Sequence, residues 1–151
     1  MKIWVDADAC PKIIKDILFR VAERTGVQVT LVANQYFFVP QTLNVAFIQV
    51  EPGFNSADDK IVELCAEGDI VITSDIPLAD GAVKKGASAL TPRGEFYDRT
   101  NIGQVLAMRN LMTDLRSNPM QEGHGGGPAP ITQKDREIFA NRLDKFMMQK
   151  R

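Results

Sequence analysis

The sequence predicts an α/β protein, a three-layer sandwich in which a mostly parallel central sheet lies between helices, with a further C-terminal helix after a Gly/Pro-rich loop. Short apolar runs alternate with amphipathic segments along the chain, which is typical of parallel strands connected by crossover helices. Two of these runs end in an acidic residue and are followed by a helix that a proline opens. At 151 residues, the chain has the size of one domain that can bury its own core.

The elements of this sandwich can be placed from the apolar pattern. The predicted strands lie at residues 3–5, 27–33, 45–50, 70–73 and 87–90. The run at 70–73 is continuously apolar, as expected for a strand in the middle of a parallel sheet. Helices are predicted after Pro11, from about residue 57, from Pro77, after Thr100 and after Thr132. The first helix should end at Gly26, a residue suited to the left-handed conformation that closes helices.

We expect one α/β domain over residues 1–117, a flexible Gly/Pro-rich loop over 118–131 and a C-terminal helix over 132–151. The apolar face of that last helix predicts docking on the domain or on a second copy of the chain, as a homo-oligomer. Its polar face is a candidate surface for RNA or single-stranded nucleic acid, with a solvated helix face as the alternative. The cations of this basic face are Lys134, Arg136, Arg142, Lys145, Lys150 and Arg151.

Composition disfavours several classes of protein. A net charge of −1 argues against broad nucleic-acid binding driven by phosphate neutralisation. There is no signal-peptide pattern and no apolar run near the ~20 residues that span a bilayer, so we expect a cytoplasmic protein without a membrane partner. The single histidine, His124, lies among glycines, and Cys10 and Cys65 form no metal-type cluster. Ser-His-Asp, Cys-His and multi-histidine zinc sites are therefore disfavoured.

Carboxylates follow two of the predicted strands. Asp6 and Asp8 come directly after the first strand, and Asp75 follows the strand at 70–73. Because ligands of open α/β sheets bind outside the carboxyl ends of the strands, neighbouring strands would bring Asp6 and Asp75 into one crevice. The alternative for Asp6 and Asp8 is that they cap the following helix.

A second pair of acids, Asp58 and Asp59, opens the helix predicted from about residue 57. Such acids are either members of the same cluster or favourable partners of the helix dipole. An oxygen-only set of ligands suits Mg²⁺ or Mn²⁺. We therefore predict a metal site formed by Asp6, Asp8, Asp58, Asp59 and Asp75. The candidate catalytic residues are Asp6, Asp8, Asp59 and Asp75.

Four further residues are candidate substrate contacts. Asn34 lies at the end of the second predicted strand, where a turn role is an equal alternative. Thr73 and Ser74 close the strand that precedes Asp75. Arg93 lies in the loop at 91–95, where its guanidinium could pair with a phosphate.

Several motifs together resemble the YaiI/YqxD family of small bacterial proteins, and the resemblance covers nearly the whole chain. These motifs are Asp6-Ala7-Asp8-Ala9-Cys10-Pro11, Val32-Ala33-Asn34-Gln35, the segment at 68–79, Pro92-Arg93-Gly94-Glu95, Gly126-Gly127-Pro128 and Asp135-Arg136 with Phe139. The resemblance implies a PIN-like domain.

PIN-domain nucleases place one acid after the first strand, one or more in a middle helix and one after the fourth strand in a Thr-x-Asp context. By this resemblance, Asp6, then Asp58 or Asp59, then Asp75 after Thr73 correspond to those positions in the same order. Two departures stand out. Asp58 and Asp59 replace the usual glutamate, and Asp8 is an additional acid. The resemblance implies a nuclease or related phosphodiesterase that depends on Mg²⁺ or Mn²⁺ and acts on RNA or DNA.

Two other functions stay open. In a phosphatase of the haloacid dehalogenase type, Asp6 and Asp8 would be nucleophile and general acid, with Thr73 or Ser74 as the hydroxyl and Lys84 or Lys85 as the lysine. That architecture also expects a later acidic pair on a further strand, where only Asp98 is a candidate. A non-catalytic nucleotide- or RNA-binding module is the other alternative. We prefer the metal-dependent nuclease.

Overall fold

The computed structural model describes residues 1–40, 42, 44–53, 56–116 and 130–149 of the chain. The strands are β1 (Lys2–Asp6), β2 (Gln28–Ala33), β3 (Val45–Gln49), β4 (Ile70–Ile72), β5 (Ser88–Leu90) and β6 (Phe96–Tyr97). The helices are α1 (Lys12–Thr25), α2 (Ser56–Leu64), α3 (Ile76–Lys84), α4 (Ile102–Arg116) and α5 (Gln133–Gln149), with a short 3₁₀ helix at Ala7–Ala9. All five predicted strands and all five predicted helices are confirmed, with small shifts at their ends.

The strands form one six-stranded sheet in the order β3-β2-β1-β4-β5-β6. β1 pairs in parallel with both β2 and β4, and β3 and β5 extend the sheet in parallel on either side. Only the edge pair β5–β6 is antiparallel among the described strands. The mostly parallel sheet is therefore confirmed. β6 was not predicted, because two residues are too few to show a period of 2.

Helices cover both faces of the sheet, which gives three layers. On one face, Ile3 and Val5 of β1 pack with Leu18 of α1 in the main core. On the other face, Trp4 packs with Ile61 of α2, Leu78 of α3 and their neighbours, and α3 and α4 share a smaller cluster. This alternation along β1 follows from the two-residue period of a strand, which places successive side chains on opposite faces.

The C-terminal helix α5 belongs to the main core. Phe139 and Leu143 are fully buried there against the same cluster that contains Ile3. Thr132 and Asp135 form a capping box at the start of α5, since the Asp135 amide donates to Thr132 Oγ1 (3.1 Å) and the Thr132 amide donates to Asp135 Oδ2 (3.0 Å). The apolar face of α5, from which the sequence predicts docking, therefore packs against the chain's own domain.

Asp69 fixes the end of the sheet opposite the strands' carboxyl ends. Its buried carboxylate accepts hydrogen bonds from the Lys2 amide (2.9 Å), from Trp4 Nε1 (3.0 Å) and from the Ala66 amide (2.9 Å). Three donors satisfy a charge that would otherwise be costly to bury. Asp69 thereby holds the register of β1 against the segment that leads into β4, which is a structural role.

Gly26 follows α1 with a φ of 77°, as the predicted helix end requires. None of the helices in the described ranges is both long and apolar enough to cross a membrane. His124, most of the predicted Gly/Pro-rich loop, Lys150 and Arg151 lie outside the described residues.

Candidate functional site

The candidate site lies where the strand order of the sheet reverses. From β1 the chain builds β2 and β3 on one side, then crosses to form β4 on the other side of β1. The gap between the carboxyl ends of β1 and β4 is thus the topological switch point, the usual ligand crevice of an open α/β sheet. Asp6 ends β1, and Thr73 follows β4. The predicted adjacency of these two strand ends is confirmed.

A threonine hydroxyl connects the acids on the two strands. Thr73 Oγ1 donates a hydrogen bond to Asp6 Oδ2 (2.9 Å), and both residues are buried. The same oxygen accepts a hydrogen bond from the Asp75 amide (3.0 Å). Burial raises the pKa of the Asp6 carboxyl, the Thr73 hydrogen bond opposes this, and the charges of Asp75 and Asp8 raise it further. Asp6 is therefore a carboxylate held in a fixed place and crowded by other acids.

Asp75 has two roles in this arrangement. It is the N-cap residue of α3, and its Oδ1 accepts a hydrogen bond from the Leu78 amide (3.0 Å). It is also near enough to Asp58 of α2 for its charge to add to the rise in the Asp58 pKa that burial causes. One oxygen of Asp75 therefore stabilises the helix while the carboxylate still faces the other acids.

Asp58 is the third acid of the cluster. Burial raises the pKa of its carboxyl to about 7, helped by the charges of Asp6 and Asp75. At neutral pH the group is therefore poised between its neutral and charged forms. Three carboxyl groups that crowd in this way create a local demand for positive charge. We call Asp6, Asp58 and Asp75 the acid cluster.

A cleft of about 390 Å³ opens beside the acid cluster. Asp58, Asp59 and Asp75 line it, together with Arg109 from α4. Asp59 is exposed. Arg109 was not predicted from the sequence, because a single arginine on a helix with exposed polar neighbours gives no signal of its own.

Asp8 does not line this cleft. The Asp8 Oδ2 atom accepts a hydrogen bond from the backbone amide of Asn34 (2.7 Å). Asp8 lines a different cavity, beside α1. Neither Asp6 nor Asp8 caps α1, since Pro11 is the N-cap and makes no side-chain capping bond. The Asn34 side-chain oxygen is buried and has no hydrogen-bond partner in the described part of the chain.

Arg93 and Ser74 lie on a third side of the crevice. Both line a cavity of about 660 Å³. Arg93 Nη1 pairs with Asp135 Oδ2 of α5 at 2.7 Å. Gly94 has a φ of 92°, and a side chain there would overlap Ile138 of α5. The loop at 91–95, where the sequence predicts a phosphate contact by Arg93, therefore also packs against α5.

Comparison with known proteins assigns the chain to a family. Residues 4–149 match the family described as "Uncharacterized BCR, YaiI/YqxD family". The chain belongs to the YaiI/YqxD family. It is 56% identical over 147 residues to a UPF0178 protein of Aromatoleum aromaticum, a match that covers 97% of this chain and 96% of the relative.

Other relatives are similar over the same length. A UPF0178 protein of Maridesulfovibrio salexigens is 54% identical over 97% of this chain and 95% of its own. A UPF0178 protein of Pseudoalteromonas atlantica is 51% identical over 99% of this chain and all of its own. No solved structure matches the chain significantly. The predicted resemblance to the YaiI/YqxD family is thus confirmed, and these names state no activity or ligand.

The acids of this YaiI/YqxD-family protein offer only oxygen ligands to a divalent cation. Within the described ranges, no group of three or more His, Cys, Asp or Glu side chains is already arranged to hold a metal ion. Mg²⁺, however, commonly keeps several waters and binds through only one or two carboxylates together with substrate phosphates. The oxygen donors and mutual repulsion of the acid cluster fit such a site. One or two of Asp6, Asp58 and Asp75 would hold the ion.

The lysines of the phosphatase alternative have other contacts in this family member. Lys84 pairs with Asp80 at 3.0 Å on the surface of α3. Lys85 Nζ donates to the carbonyl oxygens of Val62 (2.6 Å) and Glu63 (2.9 Å). Both ammonium groups therefore bind partners on the helices α2 and α3 and make no contact with Asp6 among the described residues.

Proposed function

We propose that this protein is a divalent-metal-dependent nuclease or related phosphodiesterase of PIN-like type, acting on single-stranded RNA or DNA through its acid cluster. The observation that carries this proposal is the hydrogen bond from Thr73 Oγ1 to Asp6 at the switch point of the sheet. It couples the acid after the first strand to the Thr-x-Asp acid after the fourth, and Asp58 reaches the same place from the intervening helix. The order and placement of these acids support the PIN-like assignment.

Each residue has a distinct task in this function. Asp6 and Asp75 are fixed by hydrogen bonds, so they are suited to hold a cation in a defined position. Asp58 would complete the site by giving up the proton that its raised pKa makes it retain. A bound Mg²⁺ or Mn²⁺ would supply Lewis acidity and stabilise negative charge on a phosphodiester. Asp59 and Arg109 line the cleft, where Arg109 is the candidate partner of a phosphate oxygen.

The phosphatase alternative has less support than the nuclease. It needs Asp8 to act with Asp6 on one phosphate, but Asp8 binds the Asn34 amide and lines another cavity. It also needs a lysine, and Lys84 and Lys85 contact Asp80 and α2 instead. Formation of a phosphoaspartate or a fluoroberyllate adduct on Asp6 would establish the phosphatase in place of the nuclease.

The experiment is a cleavage assay with the full chain. A fluorescently labelled single-stranded RNA and a DNA of the same sequence are incubated with Mn²⁺, Mg²⁺ or EDTA. We expect cleavage of at least one strand type with metal only, and loss of cleavage in Asp58→Asn. The matched control is Glu63→Gln, an exposed acid on the same helix, which should keep full activity. Equal activity of Asp58→Asn and Glu63→Gln would overturn the proposal.

A further inference from the structure

A second cavity, of about 580 Å³, lies on the other side of Asp8 from the acid cluster. It is formed between α1 and the loop after β2, and it is large enough for a small-molecule ligand. Its charged lining residues are two lysines and two acids, and its aromatic lining residues are three phenylalanines: Lys12, Lys15, Asp8, Asp16, Phe19, Phe37 and Phe38. It thus combines cationic and aromatic side chains at the same end of the sheet as the acid cluster.

The cavity contains a buried cation. Lys15 is only 8% exposed, and its Nζ lies 3.5 Å from the centroid of the Phe37 ring. No carboxylate lies within 4 Å of Lys15 in the described part of the chain; Asp16, the acid next to it on α1, pairs with Lys12 at 3.2 Å. Buried charges in proteins are ordinarily paired with an opposite charge, and a cation–π contact supplies only part of that stabilisation. Within the described residues, Lys15 therefore has no contacting carboxylate, and the charge of Asp8 acts on it only from beyond 4 Å.

The aromatic side chains supply the second half of a recognition surface. Phe38 is 81% exposed, although a phenylalanine gains from burial, and it lies on the loop next to Phe37. Exposed aromatic rings beside cations are the usual platform on which single-stranded nucleic acids stack their bases. A nucleotide matches both features of this cavity, since its flat base can stack on the aromatic rings and its anionic phosphate can pair with the lysine.

We propose that this cavity binds one nucleotide, with its base stacked on Phe38 and Phe37 and its phosphate paired with Lys15 and Lys12. The second oxygen of Asp8 is available to accept from a base amino group, since Oδ2 takes the Asn34 amide. This inference rests on the proposed function, because it supplies the subsite for a nucleotide next to the scissile phosphate. The nucleotide is either part of a strand or free, and the test distinguishes these sources.

Asp8 connects this cavity to the acid cluster. It lies two residues after Asp6, and its charge raises the pKa of both Asp6 and Lys15, while burial, the larger cause, lowers the pKa of Lys15. Asp8 is thus close enough to act electrostatically on both sites.

The test measures binding in EDTA, where metal-dependent cleavage cannot occur. The probes are 5′-AMP, adenosine, and a short single-stranded RNA that carries 2-aminopurine, whose fluorescence falls when it stacks. The variants are Phe38→Ala and Lys15→Met, and the controls are Met148→Ala, an exposed apolar residue on α5, and Lys2→Met, an exposed lysine at the opposite end of β1 from Asp6. Because Phe38 is exposed, its replacement leaves the fold intact.

Phe38→Ala should weaken binding of the RNA by about tenfold, in line with the loss of one stacked base. Lys15→Met should abolish any preference for 5′-AMP over adenosine, while both controls bind like the wild type. Tight binding of 5′-AMP alone identifies a free nucleotide as the ligand, and binding of the RNA only identifies a strand. Wild-type affinity in Phe38→Ala and Lys15→Met, or no binding of any probe, overturns the inference.

The two proposals can fail separately. If the cavity variants bind normally but Asp58→Asn abolishes cleavage, the nucleotide subsite is wrong and the nuclease stands. If binding depends on Phe38 and Lys15 but no strand is cleaved with any metal, the nuclease is wrong and the nucleotide site stands.

Discussion

The hydroxyl of Thr73 donates a hydrogen bond of 2.9 Å to the carboxylate of Asp6. The bond spans the two central strands, and both partners are buried. Because Thr73 Oγ1 also accepts from the Asp75 amide, a single side chain sets the spacing between the first and last acids of the proposed site. The geometry of the acid cluster thus depends on one residue that carries no charge.

Replacing Thr73 with valine should destabilise the protein and disturb the cluster. The change leaves the buried Asp6 carboxylate and the Asp75 amide without their partner, which we expect to lower the free energy of unfolding by about 2 kcal/mol. Urea denaturation measures this loss. Thr73→Ser keeps the hydroxyl and is the control, so it should bind Mn²⁺ with the affinity of the wild type. Equal stability of Thr73→Val and wild type would show that the bond contributes nothing.

The raised pKa of Asp58 predicts a pH dependence of stability in metal-free buffer. The folded state holds this proton more tightly than the unfolded chain does, because the carboxyl pKa rises from 3.8 to about 7 on folding. Its contribution to stability is therefore fully present below about pH 4 and is lost as the pH rises through about 7. Partial solvent exposure screens the effect, so we expect a loss of about 1–2 kcal/mol between pH 5 and 8.

Asp58→Asn isolates this contribution, since asparagine does not titrate. Urea denaturation of wild type and variant in EDTA at several pH values gives the difference directly. The variant should lose less stability than the wild type as the pH rises from 5 to 8. Parallel pH profiles for the two proteins would mean that Asp58 is not crowded by the other acids.

The ion pair between Arg93 and Asp135 predicts a structural role for Arg93, which from the sequence alone is a candidate phosphate contact. Arg93→Ala should lower the Tm by loosening α5, and it should leave the rate of strand cleavage unchanged at temperatures well below the Tm. A double-mutant cycle with Asp135→Asn should show non-additive effects on the Tm. A large drop in cleavage by a fully folded Arg93→Ala would instead support the predicted contact with substrate.

The packing of α5 predicts that the C-terminal helix cannot be removed. Phe139 is fully buried in the main core, so Phe139→Ala should destabilise the protein by about 3–5 kcal/mol. Deletion of residues 131–151 should abolish cooperative unfolding. Met148→Ala is the control, since Met148 is 73% exposed and should have little effect. A truncated chain that unfolds cooperatively would contradict this assignment.

The fold was largely predictable because it depends on local patterns. The continuous apolar run of β4 and the apolar stripe of α1 are each visible within one segment. The adjacency of Asp6 and Asp75 was predictable too, since strand ends of one parallel sheet meet at one edge. β6 was missed because its two residues gain their structure from pairing with β5 rather than from their own pattern.

The arrangement of side chains within the site was less predictable. Nothing in the sequence separates Asp6 from Asp8, yet one joins the acid cluster and the other binds the Asn34 amide. Arg109 reaches the cleft through the packing of α4 on α3, which is a tertiary relationship. The burial of Lys15 could have been predicted, because Lys15 lies at helical spacing from the buried Leu18 and Ala22, on the same face of α1.

The most direct test of the account is a titration of the metal-free protein with Mn²⁺, followed by electron paramagnetic resonance, in the wild type and in Asp6→Asn. The acid cluster predicts a bound Mn²⁺ in the wild type and a loss of affinity of at least about tenfold in Asp6→Asn, with Glu63→Gln unchanged. A folded wild type that binds no Mn²⁺, or an Asp6→Asn variant that binds it as tightly as the wild type, would contradict the account.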